Sequence, residues 1–196
     1  LAIMMVAKII HQNWYLAAEY FYLHFQYNGW FFFSCMGLVT AQLFHSAPVL
    51  ILKRIYLLFA FAVIPAYFLS TLWMNIPVWV YILVVIAAFA QVAGWIYMIR
   101  LIKNQNAIFK NPFSVTAKWL LGLAAIALTI KLLLQLGSTI PSLSTLAFGF
   151  RPIVIGYLHL VLLGVITLFL IGFMFAANFI AINKKATAGA GIFAAG

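Results

Sequence analysis

Two imidazoles in apolar surroundings are the groups best suited to do chemistry in this chain. Tyr22-Leu23-His24 is followed at Gly29 by glycine, and Tyr157-Leu158-His159 at Gly164, so the pattern YLH-x4-G occurs twice. A histidine nitrogen is a common axial ligand of haem iron and a frequent ligand of copper or zinc, and facing helices are where such sites are built. A glycine one turn beyond each histidine leaves room for a macrocycle or for a closely packed helix. His24 and His159 are thus the candidate ligands of a haem or copper, and His11, near the same end, is a third metal candidate. The plainer alternative is that each histidine only hydrogen-bonds across helices.

Other polar groups cluster around His24. Gln26 and Asn28 can donate to a bound cofactor or orient the ring, or they can serve as ordinary interhelical hydrogen-bond partners, the reading given to Gln91 and Gln135. Glu19 is the one acidic side chain in 196 residues. Lys131 and Arg151 approach from the same side, and a Glu19–Lys131 or Glu19–Arg151 ion pair would lower the cost of burying the charges. Lys131 can also reach the headgroups with no partner. Cys35 is alone, which excludes an intrachain disulfide and a cysteine-based metal motif and leaves a buried thiol.

The elements that must position these groups follow from composition. With 68% apolar and 6% charged residues and a mean hydropathy of +1.18, the chain is far from a water-soluble domain, where about 25% of residues are charged. In lipid every backbone polar group must be satisfied within the protein, and long unbroken apolar runs select helices over a barrel. The expected fold is all-α, a polytopic transmembrane helical bundle in a single domain. A net charge of +10 spread between apolar runs, without a basic cluster, reads as topology signals and excludes nucleic acid as a partner. The expected partners are the lipid bilayer and a redox partner or other membrane subunits.

Five complete spans are expected, at about 17–44, 55–74, 78–99, 117–136 and 152–180, with a truncated sixth at 187–196. Pro65 predicts a kink in the second, and Pro152 opens the fifth. The start at Leu1 and the short apolar run at the end read as a fragment, with no signal-peptide cleavage site near the start. Lys53, Arg54, Arg100, Lys103, Lys110, Lys118, Lys184 and Lys185 fall on one side, against Lys8, Lys131 and Arg151 on the other, a split of 8 to 3. The loops at 45–54, 100–118 and 181–187 are accordingly expected in the cytoplasm of a bacterial inner membrane, with the N-terminus of the chain outside. Residues 137–150 then form an outer loop, solvated or lying on the membrane surface. Both histidines come to lie about 12 to 14 Å deep, just short of the midplane of a ~30 Å core.

His24-Phe25-Gln26-Tyr27 resembles the helix of haem-copper oxidase large subunits that carries His-Phe-His-Tyr. The resemblance implies that His24 corresponds to the ligand of the haem beside the copper centre, while Gln26 stands where the family has its second histidine. No His-His pair and no His-Pro-Glu-Val stretch accompanies it. Over most of its length, and especially in HFQYNGWFFF and FGFRPIVIGYLHLVLLG, the chain is similar to bacterial inner-membrane proteins of no established activity that are grouped loosely with that superfamily. Haem-and-copper membrane proteins of nitric oxide metabolism are a further relation. The function implied is electron transfer or small-gas chemistry with oxygen or nitric oxide. Two rivals remain: a small-solute or proton-coupled transporter or channel lined by Glu19, His24, Gln26, Asn28 and Lys131, and a structural membrane subunit or assembly factor.

Overall fold

The computed structural model describes residues 2–6, 12–43, 48–74, 76–104 and 113–196, and every regular element among them is helical. In chain order these are α1 (Ala2–Val6), α2 (Gln12–His24), a first π-helical segment (Phe25–Phe31), α3 (Phe32–Leu43), α4 (Val49–Ala66), a 3₁₀ segment (Tyr67–Thr71) and α5 (Val78–Asn104). Then follow α6 (Val115–Gly137), α7 (Pro141–Gly149), α8 (Arg151–His159), a second π-helical segment (Leu160–Thr167), α9 (Leu168–Ala176) and α10 (Lys184–Ala195).

Among the described residues, four helices are long and apolar enough to cross a membrane: Val49–Thr71, Val78–Asn104, Val115–Gly137 and Arg151–Ala176. That is one fewer than the five expected. The first expected span, 17–44, does form an unbroken helical stretch from Gln12 to Leu43, but it is not among the four. Glu19, His24, Gln26, Asn28 and Gly29 crowd its middle and dilute its apolar character. The expected truncated sixth span falls on α10, whose 12 residues at ~1.5 Å each cannot cross a ~30 Å core. Ala190 of α10 is instead buried with Phe113, Ala117 and Phe175. Residues 137–150, expected as a loop, contain α7, which Pro141 opens at a position where a missing N–H costs nothing.

Local chemistry sets the other ends. The Ser114 hydroxyl accepts from Ala117 N at 3.1 Å to start α6, and Asn183 Oδ1 accepts from Ala186 N at 2.8 Å to start α10. Asn178, with φ of 60°, turns the chain out of α9 through the left-handed region that asparagine tolerates. Pro65 lies two residues before the switch from α to 3₁₀ winding at Tyr67.

The long helices pack on their sequence neighbours: α4 on α5, α5 on α6, and α6 on the second π segment and α9. Two glycines make the last pairing close. A Cβ on Gly164 would stand 3.2 Å from the Ala127 Cβ, and one on Gly172 would stand 3.1 Å from the Leu121 backbone nitrogen, so α9 runs nearly backbone to backbone with α6. The stretch 12–43 lies within this array. Phe32 shares a buried cluster with Phe59, Trp95, Leu128 and Leu132, and Cys35 shares another with Ala124 and Phe169.

Both π segments begin at the residue after the histidine of a YLH motif, and the two segments touch each other. In the second, Thr167 Oγ1 donates to the Leu162 carbonyl five residues back at 2.8 Å. The sequence repeat is therefore a repeat of backbone form, of a kind often found at functional sites.

Candidate functional site

A chain of hydrogen bonds joins α2, the first π segment, α4 and α6. His24 Nε2–H donates to the Val63 carbonyl at 2.8 Å. Since a carbonyl can only accept, the ring carries its proton on Nε2 and offers Nδ1 as an acceptor. Asn28 Nδ2–H donates to that Nδ1 at 3.2 Å, and Asn28 Oδ1 accepts from Lys131 Nζ at 2.5 Å. Each group has one role, and the direction of the whole chain, from Lys131 to Val63, follows from the carbonyl at its end.

The backbone makes that carbonyl available. At Tyr67 the winding tightens, and the backbone N–H groups there bond to the Ile64 and Pro65 carbonyls, leaving Val63 for the imidazole. Aromatic rings close round His24, with Phe25 at 5.2 Å and Tyr67 at 6.0 Å between centroids, both edge-on. Tyr67 in turn donates its hydroxyl to the Ala17 carbonyl at 2.9 Å, which ties the 3₁₀ segment to α2. His24 is 5% exposed and Lys131 4%.

The Asn28–Lys131 bond, with Phe32 in one buried cluster with Leu128 and Leu132 and Cys35 in another with Ala124, sets the first helical stretch antiparallel to α6. One turn from Asn28 and Lys131 lie His24 and Gln135, and a second turn reaches Tyr20 and Thr139. Tyr20 and Thr139 both line a cleft of about 900 Å³, together with Trp73, Tyr81, Ser144 and Thr145. Of these six residues only Tyr20 and Thr139 line the cleft; His24, Asn28, Lys131 and Gln135 lie beyond it. Tyr81 OH holds the Thr139 carbonyl at 2.9 Å, and Trp95 Nε1 donates to Thr129 Oγ1 at 2.9 Å. These two bonds set α5 antiparallel to α6 and bring Gln91 to within a turn of the level of Lys131. The Oε1 atoms of Gln91 and Gln135 are buried and accept no hydrogen bond, although the two residues are only 4% and 7% exposed.

Of the residues that the sequence singled out, His24, Asn28 and Lys131 are brought together. His159 takes other surroundings: it is exposed, and its Nδ1 bonds to the Ile155 carbonyl of its own helix at 2.8 Å. Gln26 is half-buried in the first π segment. Glu19 and Arg151 are exposed, and Lys131 spends its bond on the Asn28 amide rather than on the expected carboxylate. His11 lies outside the described residues. For a haem or copper, His24 has no idle nitrogen; a metal at Nε2 would have to displace Val63, and one at Nδ1 would have to displace Asn28. The sequence reading gave no part to Val63, Tyr20, Tyr67 or Thr139 and treated Gln135 as an ordinary partner. The spacing of Tyr20-His24-Asn28 and of Lys131-Gln135-Thr139 is the signal that would have found three of them.

Comparison with protein-family models, with curated protein sequences and with solved structures returns no match, so the site is read from its own geometry alone.

Proposed function

We propose that this is a multi-pass protein of a bacterial inner membrane that admits a small solute from the outer face to a polar site ending at Lys131, as a transporter or channel does. One observation carries the reading: the cleft lined by Tyr20 and Thr139 opens two helical turns from the Asn28–Lys131 bond, with His24 and Gln135 one turn from that bond on the same two helical stretches. Ionisable groups inside a membrane bundle mark solute and ion pathways more often than they serve packing. Irregular backbone, here the first π segment and the 3₁₀ segment on either side of the His24–Val63 bond, is a usual accompaniment of such a site. The excess of lysine and arginine at the opposite end supports an outward-facing cleft.

Thiol accessibility tests it. In a Cys35→Ser background, cysteines at positions 139 and 135 are expected to react with a membrane-impermeant thiol reagent added outside intact cells, position 139 faster. Failure of both to react while the protein is in the membrane overturns the pathway.

A second reading has its own observation. The twin YLH motifs enter two touching π segments, which suits a haem or copper held between His24 and His159 for electron transfer or small-gas chemistry. It requires the Val63 bond to open. A Soret band in protein purified from haem-replete cells, lost on His24→Ala, would support it; a colourless, metal-free preparation would end it.

A further inference from the structure

We propose that the half of the bundle away from the cleft holds a second site, an apolar slot for one single-chain fatty carboxylate whose head lies at Lys118. A cavity of about 130 Å³ runs between the first helical stretch, α5, α6 and α9. Cys35 and Ala124, on its wall, each stand fifteen residues along their helices from Tyr20 and Thr139 of the cleft, roughly 22 Å at the helical rise. The slot is thus a separate place, and its test does not depend on the solute pathway.

The first ground is the chemistry and shape of the wall. Among the described residues that line the cavity, Lys118 alone is charged and the others are apolar. Trp95 already spends its N–H on Thr129 at 2.9 Å. The wall therefore offers water too few partners, and a cavity of this size walled by hydrocarbon takes up hydrocarbon instead. Its lining reaches from Leu128 to Lys118 on α6, roughly 15 Å at the helical rise, and from Trp95 to Ile102 on the facing α5. So small a volume drawn out over that length suits one alkyl chain and is too narrow for a ring system or for the paired chains of a phospholipid.

The second ground is the end of the slot. Lys118 is half-buried near the start of α6, just after the Ser114 cap. The one carboxylate of the chain, Glu19, is exposed beside Tyr20 at the cleft end, so it does not serve this ammonium. An anionic head placed here meets both the lysine and the positive end of the helix dipole. Gly122, one turn along the same wall, is exposed, and a Cβ there would meet nothing within 4 Å. The slot thus opens at Gly122 beside Lys118, and an alkyl chain can enter from the surrounding lipid while its head stays at the lysine.

The full chain in phosphatidylcholine nanodiscs is titrated with radiolabelled decanoate and with decanol, and uptake by empty nanodiscs is subtracted. Decanoate is expected to bind saturably and about fivefold tighter than decanol, the size of a half-exposed ion pair together with a helix N-terminus. Lys118→Met should bring decanoate down to the level of decanol, and Lys118→Arg should keep the preference. Gly122→Trp, which the open space at that position accommodates, should abolish saturable binding of both while the melting temperature without ligand stays within a few degrees of wild type. Adding phosphatidylglycerol to the nanodiscs should leave the saturable component in place; its loss would hand the cavity to a phospholipid chain and overturn the proposal. Absence of saturable decanoate binding to the wild type, equal affinity of the wild type for acid and alcohol, or unchanged binding to folded Gly122→Trp overturns it as well.

Discussion

Lys131 Nζ donates to Asn28 Oδ1 at 2.5 Å, joining two helices whose partners are 103 residues apart in sequence. The amide faces both ways, because its nitrogen serves His24 while its oxygen serves the lysine. Neither neighbour can change its bonding without turning that amide.

Removing the amide should therefore be felt on both sides. Asn28→Leu leaves Lys131 buried without its acceptor and is expected to destabilise the protein by about 1.5–3 kcal/mol, the usual size of a hydrogen bond to a charged group. The double variant Asn28→Leu/Lys131→Met should recover a large part of that loss, giving a coupling of about 1–3 kcal/mol in a double-mutant cycle of thermal or denaturant stability. Additive effects would show that the bond contributes little.

The hydrogen-bond chain also dictates where the His24 proton sits. Nitrogen-15 spectra of histidine-labelled protein should show one ring locked with its proton on Nε2. In Asn28→Asp the new carboxylate faces both Lys131 and Nδ1 and has no proton to donate, so the His24 signal should move to the doubly protonated form. An unchanged neutral ring in that variant would contradict the geometry.

Idle buried acceptors make a stability prediction of the opposite sign. Gln91→Leu removes a carboxamide oxygen that accepts no bond and fills the space with hydrocarbon. It should raise stability by about 1 kcal/mol, or at worst leave it unchanged, as measured by the melting temperature in a fixed detergent. A loss of more than about 2 kcal/mol would mean that the oxygen has a partner in the working protein.

Glycine tolerance should differ sharply between positions of the chain. A Cβ at Gly29 meets nothing closer than the Phe25 ring at 3.8 Å, whereas one at Gly172 meets Leu120 Cβ at 3.0 Å and a backbone nitrogen at 3.1 Å. Gly29→Ala should be neutral or slightly stabilising through the chain entropy it removes. Gly172→Ala should cost about 1–3 kcal/mol, the usual penalty of overpacking, with Gly164→Ala between them. Side-by-side thermal unfolding of the three variants checks the order.

The sequence makes the class of fold plain, since apolar runs of span length bounded by Lys, Pro and Asn leave few other choices. It overstates the first span because the run of aromatic residues after Gly29 suggests a more apolar segment than the polar residues before it allow. For the site, burial of His24 beside Asn28 is legible from their i, i+4 spacing. The partner of Lys131 is not, because charge alone points to Glu19, and only the packed helices show that Asn28 occupies the level of the lysine. The Val63 carbonyl is harder still. A backbone group becomes an acceptor only where the helix tightens, and Pro65 signals a break without saying which carbonyl is released.

The π winding after each YLH motif has a consequence for how this chain tolerates length changes. A π turn holds one residue more than the α turn it replaces, and each α residue advances the helix by about 100°. Because the wide turn absorbs its extra residue, the helix before and after it keeps the facing of an uninterrupted α-helix, and deleting one residue between 29 and 31 should restore plain α winding with His24 still on Val63 and Phe32 and Cys35 still seated. A single-residue deletion in the middle of α3, where no wide turn stands ready to absorb it, should instead swing everything before it by about 100° and take His24 off Val63.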